Sequence, residues 1–371
     1  MVQGMRLKAE HGIVCSMPRE RFGYFGWPSI ARTGDGDLVV GTSGLRLAHV
    51  CPWGKTVLFR SCDDGRTWSF PRVLNDTPLD DRDCGVVSLG GRRLLVTWFS
   101  LDVRKWLTSK WHAEQIAQYE DADDALTQWR SVCDRWDDAT VKKWWGSWVR
   151  VTEDGESWSD FIRVSVNTPH GPIVLASGEL LYLGKCYLRD QTSGPIRAIR
   201  SANGGRTWQD LGVVPNPEGA RNENFAEPHV AELPSGRLVG LIRSRPWRDN
   251  FPDFHMYQTE SDDGGSTWSR ARATGIYGSP AHLLVHSSGT LVCSYGYRMA
   301  PYGIRAMLSR DGGRTWQADL VLRDDGASLD LGYPASVELP DGSLFMVYYY
   351  HVRAGEKCSL LWTRWNLPGQ V

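Results

Sequence analysis

No run of about 18 consecutive apolar residues occurs in the chain, so nothing in it reads as a membrane-spanning helix. The opening segment, Met1-Val-Gln-Gly-Met-Arg-Leu-Lys8, lacks the apolar core of a secretory leader, and a cytoplasmic protein is the expectation. Neither charge sign is in excess: 42 Lys+Arg face 43 Asp+Glu, net charge −1, with a pI near 6.8. Without a basic cluster, nucleic acid and anionic membrane surfaces are excluded as expected partners. The eight cysteines are scattered, with no CxxC and no grouping with histidine at metal-ligand spacing. They read as buried thiols of a reducing compartment, and no metal or cofactor is implied.

Glycine and tryptophan are abundant instead, at 39 and 18 residues in a chain of 371. Glycine at that level fits many tight turns, and the tryptophans fit repeated packing positions or a sugar-stacking site. The stretch from Glu227-Pro-His-Val-Ala-Glu through Pro234-Ser-Gly236 to Leu-Ile-Arg243 reads as a β-hairpin. Its acidic start and basic end lie side by side, which brings Glu227 and Arg243 together at one sheet end.

That hairpin recurs six times. The other copies open at Trp27-Pro28, Cys84-Gly85, Gly171-Pro172, Ser279-Pro280 and Tyr333-Pro334. A second motif alternates with it: Ser61-x-Asp63-x-Gly65-x-Thr67-Trp68, then Ser201 to Trp208, Ser261 to Trp268 and Ser309 to Trp316, with a degenerate copy at Val151-Thr-Glu153-Asp-Gly155-Glu-Ser157-Trp158. In each copy Asp or Asn bonds the turn, Gly takes positive φ, and Trp packs between neighbouring sheets. Two hairpins per repeat and six repeats predict an all-β fold, a six-bladed β-propeller spanning 1–371 as one domain. The segment Arg6–Ser16 is expected to supply the fourth strand of the last blade. Between Trp98 and Trp148 the chain is charged, with apolar residues at helical spacing (Trp106, Trp111, Tyr119, Trp129, Trp136, Trp144, Trp145). A helical insertion in blade 2, about 103–147, is expected, either a packed decoration or a lid over the funnel.

In a propeller the starts of all innermost strands ring one mouth, which brings together Gly26 and Trp27, Asp80-Asp81-Arg82-Asp83, His170, Glu227, Gly278-Ser279, Asp330 and Tyr333. A ring so rich in Asp, His, Glu and Tyr points to chemistry rather than to surface decoration. The second motif and the hairpins resemble the Asp-box repeats of the sialidase superfamily, over all but the helical insert. The resemblance implies that Tyr333 is a nucleophile with Glu227 as its base, and that Arg243 and Arg305 hold a substrate carboxylate. A neutral nucleophile suits an anomeric carbon that carries a carboxylate.

Two features depart from the family. Its first arginine is replaced at Gly26, and the loop Ser43–Trp53, where the family keeps its general-acid aspartate, has no acidic residue. His49 is the side chain of that loop suited to proton transfer. Arg46 or Arg298 is a candidate to restore a third cation, and Asp83 either orients Arg82 or serves as an acid. The expected activity is exo-hydrolysis of a terminal acidic sugar. The alternatives are a hydrolase or lyase using His49 on a uronic or deoxy sugar, and a non-catalytic carbohydrate-binding propeller. Oligomeric state is not legible.

Overall fold

The computed structural model describes residues 4–117, 122–187, 193–246 and 250–369. Six antiparallel sheets follow one another along the chain and form a six-bladed β-propeller. In blade 4 the strands run from the axis outward as Phe225–Glu232, Leu238–Ser244, His255–Ser261 and Arg272–Tyr277. Apolar side chains from both faces of each blade fill the layers between blades. Between blades 6 and 1, for example, Phe345, Val347 and Leu360 pack with Ile30, Val40 and Phe59.

The ring closes through the N-terminal segment. Ala9–Cys15 pairs antiparallel with Ser359–Trp365 and becomes the outermost strand of blade 6. The expected segment divides in two, because Met5–Arg6 pairs parallel with the last strand of blade 5. One short stretch thus ties two blades together.

The Asp-box motifs form the turns between third and fourth strands, at the face opposite the funnel mouth. In the first, Asp63 accepts from the Thr67 amide at 2.9 Å and the Thr67 hydroxyl at 2.7 Å, while the Trp68 indole donates to the Gly65 carbonyl at 3.1 Å. In blade 2 the bonding residue is Asp154 rather than Glu153. Its Oδ1 accepts from the Glu156 and Ser157 amides at 2.8 and 2.7 Å, with Thr152 in the serine role. The turn there is one residue shorter from carboxylate to glycine.

The insertion leaves blade 2 after Leu94–Leu101 and returns at Gly146–Thr152. It holds a 3-10 turn (Arg104–Thr108) and helices α1 (Lys110–Ala117), α2 (Ala122–Cys133) and α3 (Asp138–Trp144). Asp137 caps α3 by accepting from the Thr140 amide at 2.7 Å. Trp129, Trp136, Ile116 and Val141 are buried against Leu47, Ala48, Val50 and Cys51 of blade 1. The insert therefore buttresses the loop that carries His49, with Trp129 and Trp136 in its own core rather than lining the funnel. Tyr119 and the Trp111 side chain lie outside the described residues. All eight cysteines are free thiols, and no described helix is long and apolar enough to cross a membrane.

Candidate active site

One backbone device places the central residues. In blades 1, 2, 4 and 6 the pairing of the innermost strand skips a step, between Gly26 and Ser29, Arg82 and Gly85, Ala226 and His229, and Gly332 and Ala335. Trp27, Asp83, Glu227 and Tyr333 occupy the bulges with φ of 52, 55, 50 and 51°. A left-handed backbone costs a bulky residue roughly 1–2 kcal/mol, so each bulge holds strain that blade packing offsets. The counterpart in blade 3 is Gly171, φ 75°, which contributes no side chain.

Glu227, Arg243 and Tyr333 meet. The Tyr333 hydroxyl donates to Glu227 Oε1 at 2.7 Å, and Arg243 Nη1 donates to both Glu227 oxygens at 3.0 and 2.8 Å. The same Nη1 lies 3.3 Å from the Tyr333 oxygen. Burial opposes the Glu227 charge, but Arg243 and the hydrogen bonds outweigh it and lower its pKa. Burial, reinforced by the Glu227 charge, holds the Tyr333 pKa well above its ordinary value. The pair is thus a neutral phenol hydrogen-bonded to a carboxylate, a geometry in which a proton can pass from the first to the second.

Arg298 is the second cation here. Its guanidinium lies 5.6 Å from the Tyr333 ring centre and 5.0 Å from that of Phe254, while Arg243 lies 4.5 Å from the same Phe254 ring. One aromatic ring, Phe254, thus carries both arginines, an arrangement suited to gripping a single carboxylate. Arg305, expected in this role, is placed elsewhere. It sits on the third strand of blade 5, stacks 3.4 Å over the Tyr297 ring, and pairs with Asp319 at 2.8 Å.

The opposite wall is different in kind. His49 Nδ1 lies 2.9 Å from Asp330 Oδ1 and 3.1 Å from the Tyr24 hydroxyl. Asp330 is also bonded by the Tyr349 hydroxyl at 3.0 Å and the Tyr24 hydroxyl at 2.9 Å. It therefore positions His49 instead of facing the funnel alone. Arg82 lies 4.1 Å over the Trp27 ring and donates to the His49 carbonyl at 2.8 Å.

Three expected ligands are committed to the fold. Arg46 is fully buried, with Nη1 and Nη2 on Asp80 Oδ1 and Oδ2 at 2.7 and 2.9 Å and further bonds to Ser43 and the His49 carbonyl. It holds the loop and does not restore a third substrate cation. Trp27, at 1% exposure, is a plug under Arg82 and His49 and offers no face to a sugar. His170 is buried beside His229 and His282, ring centres 5.5 and 5.0 Å away, with no hydrogen bond to either ring nitrogen among the described residues. Burial, with His229 adding, holds its pKa well below the ordinary value, so the ring is neutral and packed away near the axis.

Reading the sequence for strand starts missed Phe254, Tyr24 and Tyr349. Tyr349 pairs with Gly332 as Arg243 pairs with Ala226, so counting along the second strand of each hairpin finds it.

Asp83 lies on the floor at 9% exposure and has no hydrogen bond among the described residues. Burial pushes its carboxyl up to about 7, with Arg82 opposing and the Glu227 charge adding. Because the folded pKa exceeds the unfolded value, the contribution of Asp83 to stability is unchanged below about pH 4, falls between about 4 and 7, and is flat above. Asp83→Asn is therefore expected to gain stability over the wild type across that window, on the order of 2–4 kcal/mol by pH 8. Urea unfolding of both proteins at pH 4.5 and 8 checks this; an equal difference at both pH values contradicts it.

Residues 137–346 match the family model of the BNR repeat-like domain. The chain belongs to that family. No curated protein matches it. Among solved structures, this BNR propeller is similar to a protein of unknown function from Dyadobacter fermentans DSM 18053, with a TM-score of 0.74 and 22% identity over 97% of this chain and 98% of that one. It is similar to the Hadza microbial sialidase Hz136, TM-score 0.64 and 18% identity, over 94% of this chain and 66% of that one. Trypanosoma rangeli sialidase in complex with sialic acid gives a TM-score of 0.64 and 15% identity over 97% of this chain and 59% of that one. The BNR propeller thus spans roughly three fifths to two thirds of the two sialidases. At these identities the likeness is one of fold, that of the sialidase-like BNR propellers.

Proposed function

We propose that this protein is a retaining glycoside hydrolase acting on a terminal acidic sugar. The observation that carries the reading is the hydrogen bond from Tyr333 to Glu227 with Arg243 on both partners. Tyr333 attacks the anomeric carbon as its proton passes to Glu227, forming a glycosyl-tyrosine that water later cleaves. Arg243 and Arg298, side by side on Phe254, bind the sugar carboxylate. A neutral phenol avoids the repulsion that a carboxylate nucleophile meets at a carbon bearing a negative group.

The test is covalent capture. A 2,3-difluoro acidic sugar, of the kind seen in the covalent-intermediate complex of Trypanosoma rangeli sialidase, is expected to add one sugar mass to the intact protein. Peptide mapping should find it on Tyr333. Labelling at another residue places the nucleophile elsewhere, whereas ligand binding with no labelling and no turnover of any acidic aryl glycoside favours a carbohydrate-binding propeller.

A further inference from the structure

The loop Ser43–Trp53 holds no carboxylate, yet a leaving alkoxide has to be protonated as it departs. We infer that His49, oriented by Asp330, is the general acid that protonates the leaving group and the general base that later activates water. This rests on the hydrolase reading above.

Position argues for it first. A single ring separates His49 from the nucleophile: Trp27 lies 4.9 Å from the His49 ring and 6.4 Å from the Tyr333 ring, centre to centre. A sugar seated over the Asp83 floor has Tyr333 on one side and His49 on the other. In an exo-acting site the aglycone points out of the mouth, so its proton donor belongs on the rim. The His49 side chain is 25% exposed there, whereas Asp83 lies on the floor, where it suits a sugar hydroxyl.

Orientation argues for it second. Asp330 takes the Nδ1 side of the ring, so the proton that moves is the one on Nε2. Asp330 is itself fixed by Tyr24 and Tyr349, and Tyr349 also packs 5.7 Å from the Tyr333 ring. The two halves of the site thus share a support. The loop beneath is pinned by Arg46 and Arg82, both donating to the His49 carbonyl, and covered by the insert.

The steps balance. In the first, the anomeric C–O bond to the aglycone breaks, its electron pair goes to the leaving oxygen, and His49 Nε2–H supplies the proton. Tyr333 Oη forms the new bond while its proton moves to Glu227. In the second, neutral His49 takes a proton from the attacking water, and Tyr333 leaves and recovers its proton from Glu227. One water is consumed, and His49, Tyr333 and Glu227 all return to their starting forms.

Burial is the largest influence on His49 and, with Arg82, Arg46 and, among the described residues of the insert, His112 adding, holds its pKa below the ordinary value, while Asp330 opposes and favours the imidazolium. Tyr24 bonds the same nitrogen. Removing Asp330 therefore lowers the pH at which His49 loses its proton.

The experiment compares leaving groups. His49→Ala is expected to lose about 10²–10⁴-fold in kcat/KM on alkyl or methylumbelliferyl glycosides. It should lose less than about tenfold on a dinitrophenyl or fluoride glycoside, whose leaving group needs no proton. Azide should restore turnover of the activated substrate as a glycosyl azide. Asp330→Asn, a milder change, should move the alkaline limb of the kcat/KM profile to lower pH. Equal losses on both substrate classes with no azide product and no shifted limb overturn the inference, while a wild type that turns over neither class overturns the hydrolase reading instead.

Discussion

Tyr333→Phe is expected to lower kcat/KM on any acidic aryl glycoside by roughly 10⁴-fold or more, as loss of a covalent nucleophile does. Affinity for the free acidic sugar should change by less than about tenfold, because Arg243 and Arg298, the arginines proposed to bind the carboxylate, are untouched. The substitution removes one oxygen and keeps the ring, which packs at 6.4 Å from Trp27 and 5.7 Å from Tyr349. The strained bulge at residue 333 is therefore retained, and thermal unfolding should shift little. Loss of activity can then be assigned to chemistry. Glu227→Gln is the less clean partner, since it leaves Arg243 facing a neutral amide where it now holds both carboxylate oxygens. Glycoside kinetics, sugar titration by calorimetry and a melting curve on one Tyr333→Phe preparation check the expectation. Near-normal turnover places the nucleophile elsewhere, and loss of binding together with turnover makes Tyr333 a structural residue.

The architecture was legible because a propeller repeats one hairpin and one turn motif, and both carry local chemistry that survives in sequence. Glu227 with Arg243 was legible for the same reason, being two ends of one hairpin. Choosing between arginines in blade 5 was not. Arg298 and Arg305 both follow a tyrosine-glycine stretch, and only the strand ends separate them: Arg298 comes just after the second strand, Leu291–Tyr297, whereas Arg305 lies inside the third. Trp27 failed differently. The bulge that aims Glu227 and Tyr333 into the funnel also occurs at residue 27, but there the ring is covered by Arg82 and His49. That cover comes from another blade and from a loop, and no local pattern reports it. The degenerate Asp-box shows the same limit on a smaller scale, since Glu153 and Asp154 are adjacent acids and only turn length decides which one bonds the backbone.

Arg46 is where the sequence most invited a functional role and the fold uses the charge for itself, and its removal should be the costliest change to stability. Both members of the Arg46–Asp80 pair are fully buried, and the two guanidinium nitrogens meet the two carboxylate oxygens in a fork. The backbone of Gly54 closes over them so tightly that a Cβ there would lie 1.9 Å from Arg46 Nη1 and 2.1 Å from Asp80 Oδ1. Water cannot readily replace a lost partner in that space. Arg46→Met should therefore cost about 3–5 kcal/mol, because it strands the Asp80 charge, and Asp80→Leu should cost a similar amount. Part of this offsets in the double variant, where neither charge remains; a coupling of about 0.5–3 kcal/mol is expected from a urea double-mutant cycle. Arg82 is the second cation on Asp80, at 3.1 Å, and limits how far either single variant falls. Single variants that add without coupling contradict the scaffold role. The Arg46 cation is thus spent on Asp80 and on holding the carbonyl of His49 in place.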